Sequence, residues 1–248
     1  MHNAIYIRGA GISFQDAGQA LKFGYEGCDM QATLLPAALR RRTSVATKVA
    51  FAAAERACRD ADCDPSQLAS IFTSAVGEVN VTDRLCSDIA QQRFPLSPTQ
   101  FHNSVHNTAS GYWSIAVGSR KPAMAMAGYH DGFALALLEA WSQLQCSGED
   151  ILLVCYEEQP VELMLPDNQW IGCAIAFVLT PRPDGERTAA AIGKPFALRG
   201  EEDAQPFGLC SPALAALDLF RTVNSGDVGR VQVSPDDASN WYVELERA

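Results

Sequence analysis

Apolar and polar positions along the chain follow two rhythms, one of short apolar runs and one of helical period, and their alternation predicts an α/β protein. Ala4 to Arg8 alternates weakly and stops at Gly9-Ala-Gly11, which reads as a strand leaving by a glycine turn. Val45, Val49, Ala53 and Ala57 recur at every fourth position, so a helix is expected from a Thr43 or Ser44 cap to Asp60. Asp64-Pro65 opens a turn into Ser70–Val76, a short apolar strand ending at Gly77. Helices are expected from Thr82 to Gln92 and from Asn103 to Val117, the second stopping at Gly118. Ala123–Ala127 is a small-residue strand, Gly132–Cys146 its helix and Asp150–Cys155 the next buried strand. This βαβ order favours a parallel pair and a right-handed crossover. Trp170–Thr180 reads as a central strand, with Arg187–Leu198 as its antiparallel neighbour through Pro183-Asp-Gly185. Ser211-Pro212 starts a helix to Val223, and Asn240–Leu245 closes the chain as a strand.

Length and charge narrow the partners. A chain of 248 residues suits one large domain with a sizeable core. The net charge of -10 argues against nucleic acid or an anionic membrane, both of which need clustered Lys and Arg. The one basic run, Arg40-Arg41-Arg42, reads as a solvated approach to a helix. Eight cysteines are scattered singly, with no CxxC pair and no zinc spacing. The N-terminus does not read as a signal peptide, and no apolar run nears the roughly 20 residues of a membrane helix. The expectation is a soluble cytoplasmic protein with reduced, mostly buried thiols.

The chemistry-bearing tract is Pro122-Ala-Met-Ala-Met-Ala-Gly-Tyr-His130-Asp131-Gly132-Phe133, a strand running through a tight turn into a helix. Free backbone N–H groups at such a helix mouth lower the cost of negative charge, which makes the turn a mount for a nucleophile. His130 stands at its tip, and no Ser or Cys lies between Ala127 and Leu138. Other candidates are weaker. His102 and His106 are spaced one helical turn apart, but no Glu lies between them and no third ligand is evident, so no metal site is expected. Gly9-Ala-Gly11 lacks the third glycine of a phosphate loop, and no cofactor is expected. Cys155 reads as a buried thiol, and Met124 and Met126 as core or interface residues.

Four tracts together resemble the N-terminal half of the β-ketoacyl synthases, a family with the thiolase fold. Arg42–Ala61 with Ile71–Gly77 is similar to the family's first helix and second strand. Asn107-Thr-Ala-Ser-Gly111, with Ile115 and Gly118–Pro122, is similar to its N-x-x-x-G helix and the turn before the nucleophile strand. Ala127–Phe133 lies over A-T-A-C-[ST]-S-G, and Glu149–Glu158 over A-D-x-x-x-x-G-G-x-E. The likeness spans residues 1–200 and fades over 200–248. It implies a single N-terminal lobe of the thiolase-like fold, a mixed and mostly parallel sheet of about five strands with helices on both faces.

The departures matter as much as the likeness. By the resemblance His130 falls on the family's acyl-accepting cysteine, and the C-terminal lobe that supplies the catalytic His, His and Lys is expected to be missing. In this family two chains pair through the strand before the nucleophile turn, here Ala123, Met124, Ala125, Met126 and Ala127. The resemblance therefore implies a non-catalytic, chain-length-factor-like subunit. It would pair with an active ketosynthase, meet acyl carrier protein through the complex, and help wall the acyl tunnel. Asn107, Tyr129, His130, Asp131 and Phe133 are the pocket candidates. The pathway implied is of fatty-acid or type II polyketide kind, aryl-polyene assembly included. Two alternatives stay open: a thioesterase or malonyl decarboxylase using His130 with Asp131, and a homodimeric acyl-binding module.

Overall fold

The computed structural model describes residues 4–161, 170–183, 188–198, 211–235 and 240–247. In chain order its elements are β1 (Ile5–Phe14), α1 (Ala17–Lys22), α2 (Ala37–Arg40), α3 (Val45–Asp60), β2 (Ala69–Thr73), α4 (Val79–Ala90), α5 (Pro98–Asn103) and α6 (Thr108–Val117). They continue with β3 (Ala123–Met126), α7 (Gly132–Ser147), β4 (Ile151–Glu157), β5 (Cys173–Thr180), β6 (Ala190–Ile192), β7 (Phe196–Ala197), α8 (Leu217–Ser225), β8 (Gly229–Gln232) and β9 (Trp241–Glu246).

Among the described residues one nine-stranded sheet runs in the order β3-β2-β4-β5-β1-β6-β9-β7, with β8 also on β9. The mixed α/β sheet of the thiolase-like fold is thus present, with more strands than the five expected. Its parallel part is only β3-β2-β4 and every other pairing is antiparallel, so the sheet is mixed but not mostly parallel as expected. The crossover from β3 through α7 reaches β4, but β2 lies between the two strands and is parallel to both.

Strand periodicity explains why the central strands are apolar throughout. Ile151, Leu153 and Cys155 of β4 face one core with α7 and α8, while Leu152, Val154 and Tyr156 face the other with α3 and α6. In β5, Cys173, Ile175, Phe177 and Leu179 join the first core, and Ala174, Ala176 and Val178 the second. Burial on both faces removes the polar positions that would have marked a period of two.

Gly9 and Gly11 do not end β1 as expected; the strand runs through them. A Cβ on Gly9 would stand 2.5 Å from the Ala61 nitrogen, and one on Gly11 2.3 Å from the Ala53 carbonyl oxygen. These glycines let the strand backbone lie against α3, whose facing residues are largely alanine and fully buried. The α3 cap is as read, with Ser44 Oγ accepting from Thr47 N–H at 3.0 Å.

Other boundaries shift for local reasons. The helix expected from Asn103 to Val117 is two helices, α5 and α6, broken at Ser104–Asn107, so His102 and His106 do not share a helix face. Arg40 is not simply solvated, because its guanidinium donates to the Ala32 and Leu35 carbonyls at 2.9 and 3.0 Å. The neighbours of β5 are β4 and β1, and the segment expected beside it supplies β6, which pairs with β1 instead. The turn at Pro183-Asp184-Gly185 lies partly, and Cys210 wholly, outside the described residues. Among the described residues no helix is long and apolar enough to cross a membrane.

Candidate functional site

The parallel strands β2, β3 and β4 end together, and the chain segments leaving their carboxyl ends build the site. This is the edge of an open α/β sheet where ligand sites gather. After β3 the chain passes Ala127 and Gly128 into a 3₁₀ turn, Tyr129–Asp131, and then into α7. Gly128 is required by close approach: a Cβ there would meet Gly132 Cα and Leu135 Cδ1, each at 2.9 Å. The turn is pinned by Asp131 N–H donating to the Gly128 carbonyl at 3.0 Å. Thr73 at the end of β2 donates its hydroxyl to the Gly132 carbonyl at 3.2 Å.

The strained residue of this turn is Tyr129, with φ +52, in a region that side-chain-bearing residues adopt at a cost. The sequence placed His130 at the tip, whereas in the structure the backbone distortion falls one residue earlier. His130 is 9% exposed, and its ring meets the Tyr129 ring edge-on at 4.1 Å. Burial, with Glu157 adding to it, pushes the Tyr129 phenol up to about 12. The turn thus carries a neutral phenol and an imidazole, and no thiol or aliphatic hydroxyl.

The remaining sequence candidates are dispersed. Phe133 is core, 1% exposed and packed against Phe177 at 5.9 Å between ring centroids. Asn107 is exposed at the start of α6. Tyr129, His130 and Asp131 are the candidates brought together. Cavities of about 310, 310 and 410 Å³ are lined by residues other than these five. Among the described residues no group of three His, Cys, Asp or Glu is placed to hold a metal ion.

Beside the turn lies a group that residue patterns did not expose: the buried carboxyls of Glu78, Glu157 and Glu158, each 2% exposed or less. Glu157 ends β4 and accepts from the Ser74 hydroxyl at 2.9 Å and from the Ala75 and Val76 backbone N–H groups. Burial outweighs these donors and pushes its carboxyl up to about 8. Glu78 accepts from Thr47 Oγ1 at 2.9 Å, and burial pushes it up to about 7. Glu158, whose Oε1 takes the Asn80 N–H at 3.0 Å, is raised by burial as well. His106 Nε2 closes the group from the side, 3.0 Å from the Ser74 carbonyl oxygen. The adjacent Glu157-Glu158 pair closing an apolar strand was the only trace of this group in the sequence. Nothing local marked Glu78.

The strand leading into the turn is the edge of the sheet. β3 pairs only with β2 among the described residues. The Pro122 and Met126 carbonyls accept from Ser70 and Ser74 N–H at 3.0 and 3.3 Å, so the even-numbered residues direct their backbone groups at β2. Strand alternation then turns the N–H and C=O of Ala123 and Ala125 outward. Met124 is 37% exposed, and α6, packed beside β3, carries Ile115 at 69% exposed.

Residues 17–216 match the family model described as "Beta-ketoacyl synthase, N-terminal domain". The chain belongs to the β-ketoacyl synthase family. No curated protein sequence matches it. Among solved structures, this ketosynthase-family chain superposes on one described as "Ketosynthase (ApeO) in Complex with its Chain Length Factor (ApeC) from Xenorhabdus doucetiae". The TM-score is 0.71 at 18% identity, over 97% of this chain and 99% of that one. "The ishigamide ketosynthase/chain length factor" gives 0.62 at 18% identity, over 90% of this chain and 73% of that one. A third structure, a type II polyketide acyl-carrier protein in complex with its ketosynthase (AntDE:AntF), gives 0.63 at 13% identity, over 78% and 68%. Identities this low establish the fold that the family shares.

Proposed function

We propose that this chain is the non-catalytic, chain-length-factor-like member of a ketosynthase pair. It joins an active β-ketoacyl-ACP synthase through β3, in a pathway of fatty-acid or polyketide type such as aryl-polyene assembly. The observation that carries the reading is the geometry of β3: an edge strand, lined by alanine, whose outward backbone groups at Ala123 and Ala125 are aimed away from β2. An edge of this kind is a template for another strand, and small side chains let that strand come close. Two further observations agree with it. The turn after β3 holds Tyr129, His130 and Asp131 in place of a nucleophile, and the structures this fold resembles include complexes of a ketosynthase with its chain length factor. In this reading the Tyr129–Asp131 turn forms part of the wall of the partner's acyl tunnel. Acyl carrier protein is met through the complex.

The test is co-expression of the tagged chain with the complete ketosynthase of its pathway, followed by size-exclusion chromatography. The informative variant is Ala125→Pro. It removes an N–H that faces away from β2, and proline is tolerated on an edge strand. Met124, the residue before it, is already extended as that position requires. Ala125→Pro is expected to abolish the heterodimer while keeping the melting transition. Met124→Pro removes an N–H that serves β2 and is expected to unfold the edge. His130→Ala is expected to leave product formation by the pair largely intact. A wild-type chain that stays monomeric or homodimeric with every ketosynthase of its pathway, or an Ala125→Pro chain that pairs as well as wild type, overturns the proposal. Thioester turnover by the isolated chain, lost in His130→Ala, would favour a hydrolase instead.

A further inference from the structure

At the opposite end of the sheet from the Tyr129 turn, the C-terminal end of α3 brings two cysteines together. Cys58 lies in the last turn of the helix, and Cys63 follows in the connection toward β2. Cys63 N–H donates to the Cys58 carbonyl at 3.1 Å, and its Sγ lies 3.6 Å from the same oxygen. With standard bond lengths that clamp keeps the two Cα atoms within about 7 Å, inside the span a disulfide bridges. Between them Asp62 holds φ +48, a left-handed conformation that folds the turn back on the helix end.

The pair is accessible and asymmetric. Cys58 is buried at 3% exposed, whereas Cys63 is half-buried, and both line a surface cavity of about 310 Å³ with Thr33, Leu34 and Glu55. The neighbouring Cys58 thiol holds the Cys63 thiol below its usual range, and the Arg8 guanidinium adds to the effect. Arg8 reaches this place from β1, donating to the Asp62 carbonyl at 3.4 Å and pairing with Asp150 at 3.5 Å. Asp150 and Asp64 oppose the effect on Cys63, while Glu55, paired with Arg59 at 2.8 Å, disfavours charge on Cys58. Cys63 is the sulfur that solvent reaches and that the Arg8 guanidinium favours as an anion.

We propose that Cys58 and Cys63 form a peroxide-responsive thiol pair, in which Cys63 is the attacking sulfur and Cys58 resolves it to an intramolecular disulfide. In the first step the Cys63 thiolate forms a bond to one oxygen of hydrogen peroxide. The O–O bond breaks, and the departing hydroxide takes up a proton to become water. In the second step the Cys58 sulfur displaces the hydroxyl of the Cys63 sulfenic acid. An S–S bond forms, the S–O bond breaks, and the Cys58 proton leaves with the hydroxyl as a second water. Two thiols lose two electrons and two protons, and one peroxide is reduced to two waters. This inference does not depend on ketosynthase pairing.

The experiment exposes the folded full chain to stoichiometric hydrogen peroxide, alkylates the remaining thiols and maps tryptic peptides without reduction. Cleavage after Arg59 falls between the two cysteines, so the disulfide appears as two linked peptides. The expected result is loss of two of the eight thiols through this one link, with exposed Cys86 and Cys146 still alkylated. In Cys58→Ser a sulfenic-acid probe is expected to label Cys63, and in Cys63→Ser Cys58 is expected to stay alkylatable at the dose that consumes the wild-type pair. Oxidation of Cys86 or Cys146 as fast as Cys63, or conversion of Cys63 to sulfinic acid with Cys58 still alkylatable, overturns the proposal. Both overturning outcomes are read on the wild-type chain and so do not depend on the variants folding.

Discussion

The buried carboxyl of Glu157 makes stability depend on pH in a direction opposite to that of an ordinary surface acid. Glu157 is 0% exposed, and burial raises it from 4.5 to about 8 in the folded chain. Below pH 4.5 the carboxyl is protonated in both folded and unfolded chains, and the stability is fully present. Between pH 4.5 and 8 the unfolded chain ionises while the folded one holds its proton, so unfolding is favoured by about 1.4 kcal/mol per pH unit. Across that window the loss is on the order of 5 kcal/mol, comparable with the total stability of about 5–15 kcal/mol of a typical domain. Above pH 8 it levels off. Glu78, raised by burial to about 7, acts with the same sign.

Glu157→Gln isolates the effect. The amide oxygen still accepts the Ala75 N–H, and the amide NH₂ faces Ser74 Oγ, whose hydroxyl turns from donor to acceptor. Urea unfolding at pH 5.5, 6.5, 7.5 and 8.5 should therefore show wild-type stability falling as pH rises. The variant should exceed wild type by about 1.4 kcal/mol at pH 5.5 and by on the order of 5 kcal/mol at pH 8.5, keeping only the fall that Glu78 contributes up to about pH 7. Wild-type stability that is flat or rising from pH 5.5 to 8.5 would refute the reasoning. So would a variant weaker than wild type at pH 8.5, because that would mean the ionised carboxylate is the form the fold prefers.

Two glycine substitutions should part in opposite directions. Gly11→Ala sets a Cβ 2.3 Å from the Ala53 carbonyl, so β1 and α3 must separate; a loss of about 3 kcal/mol is expected in chemical denaturation. Gly111→Ala meets nothing within 4 Å inside α6 and should raise stability by up to about 1 kcal/mol, read as a higher melting temperature.

Much of the fold was legible because local rules decided it. Ser44 caps α3, Gly118 in the left-handed conformation ends α6, and the apolar runs of β4 and β5 are strands. The candidate site was legible as a strand, a turn and a helix with no Cys or Ser in the turn, since that depends on which residues are adjacent in the chain. The sequence placed His130 at the tip, and the structure places the left-handed residue at Tyr129, after a Gly128 that has no room for a Cβ beside Gly132 and Leu135; spacing does not reveal either.

By itself, then, the sequence determined an α/β pattern, a likeness to the ketosynthase family and a strand-to-helix turn that carries Tyr129, His130 and Asp131 but no Cys or Ser. Residue identity and order suffice for that. Only the tertiary structure decided that β1 passes through its glycines beneath α3, and that β5 lies antiparallel between β4 and β1. It also decided that three carboxyls more than 70 residues apart at the extremes are buried close to one another, and that β3 is an edge with Ala123 and Ala125 facing outward. The physical reason is common to all of these. Strand neighbours, burial and the cost of a buried charge are set by residues distant in the chain, and no local pattern of apolar and polar positions records them.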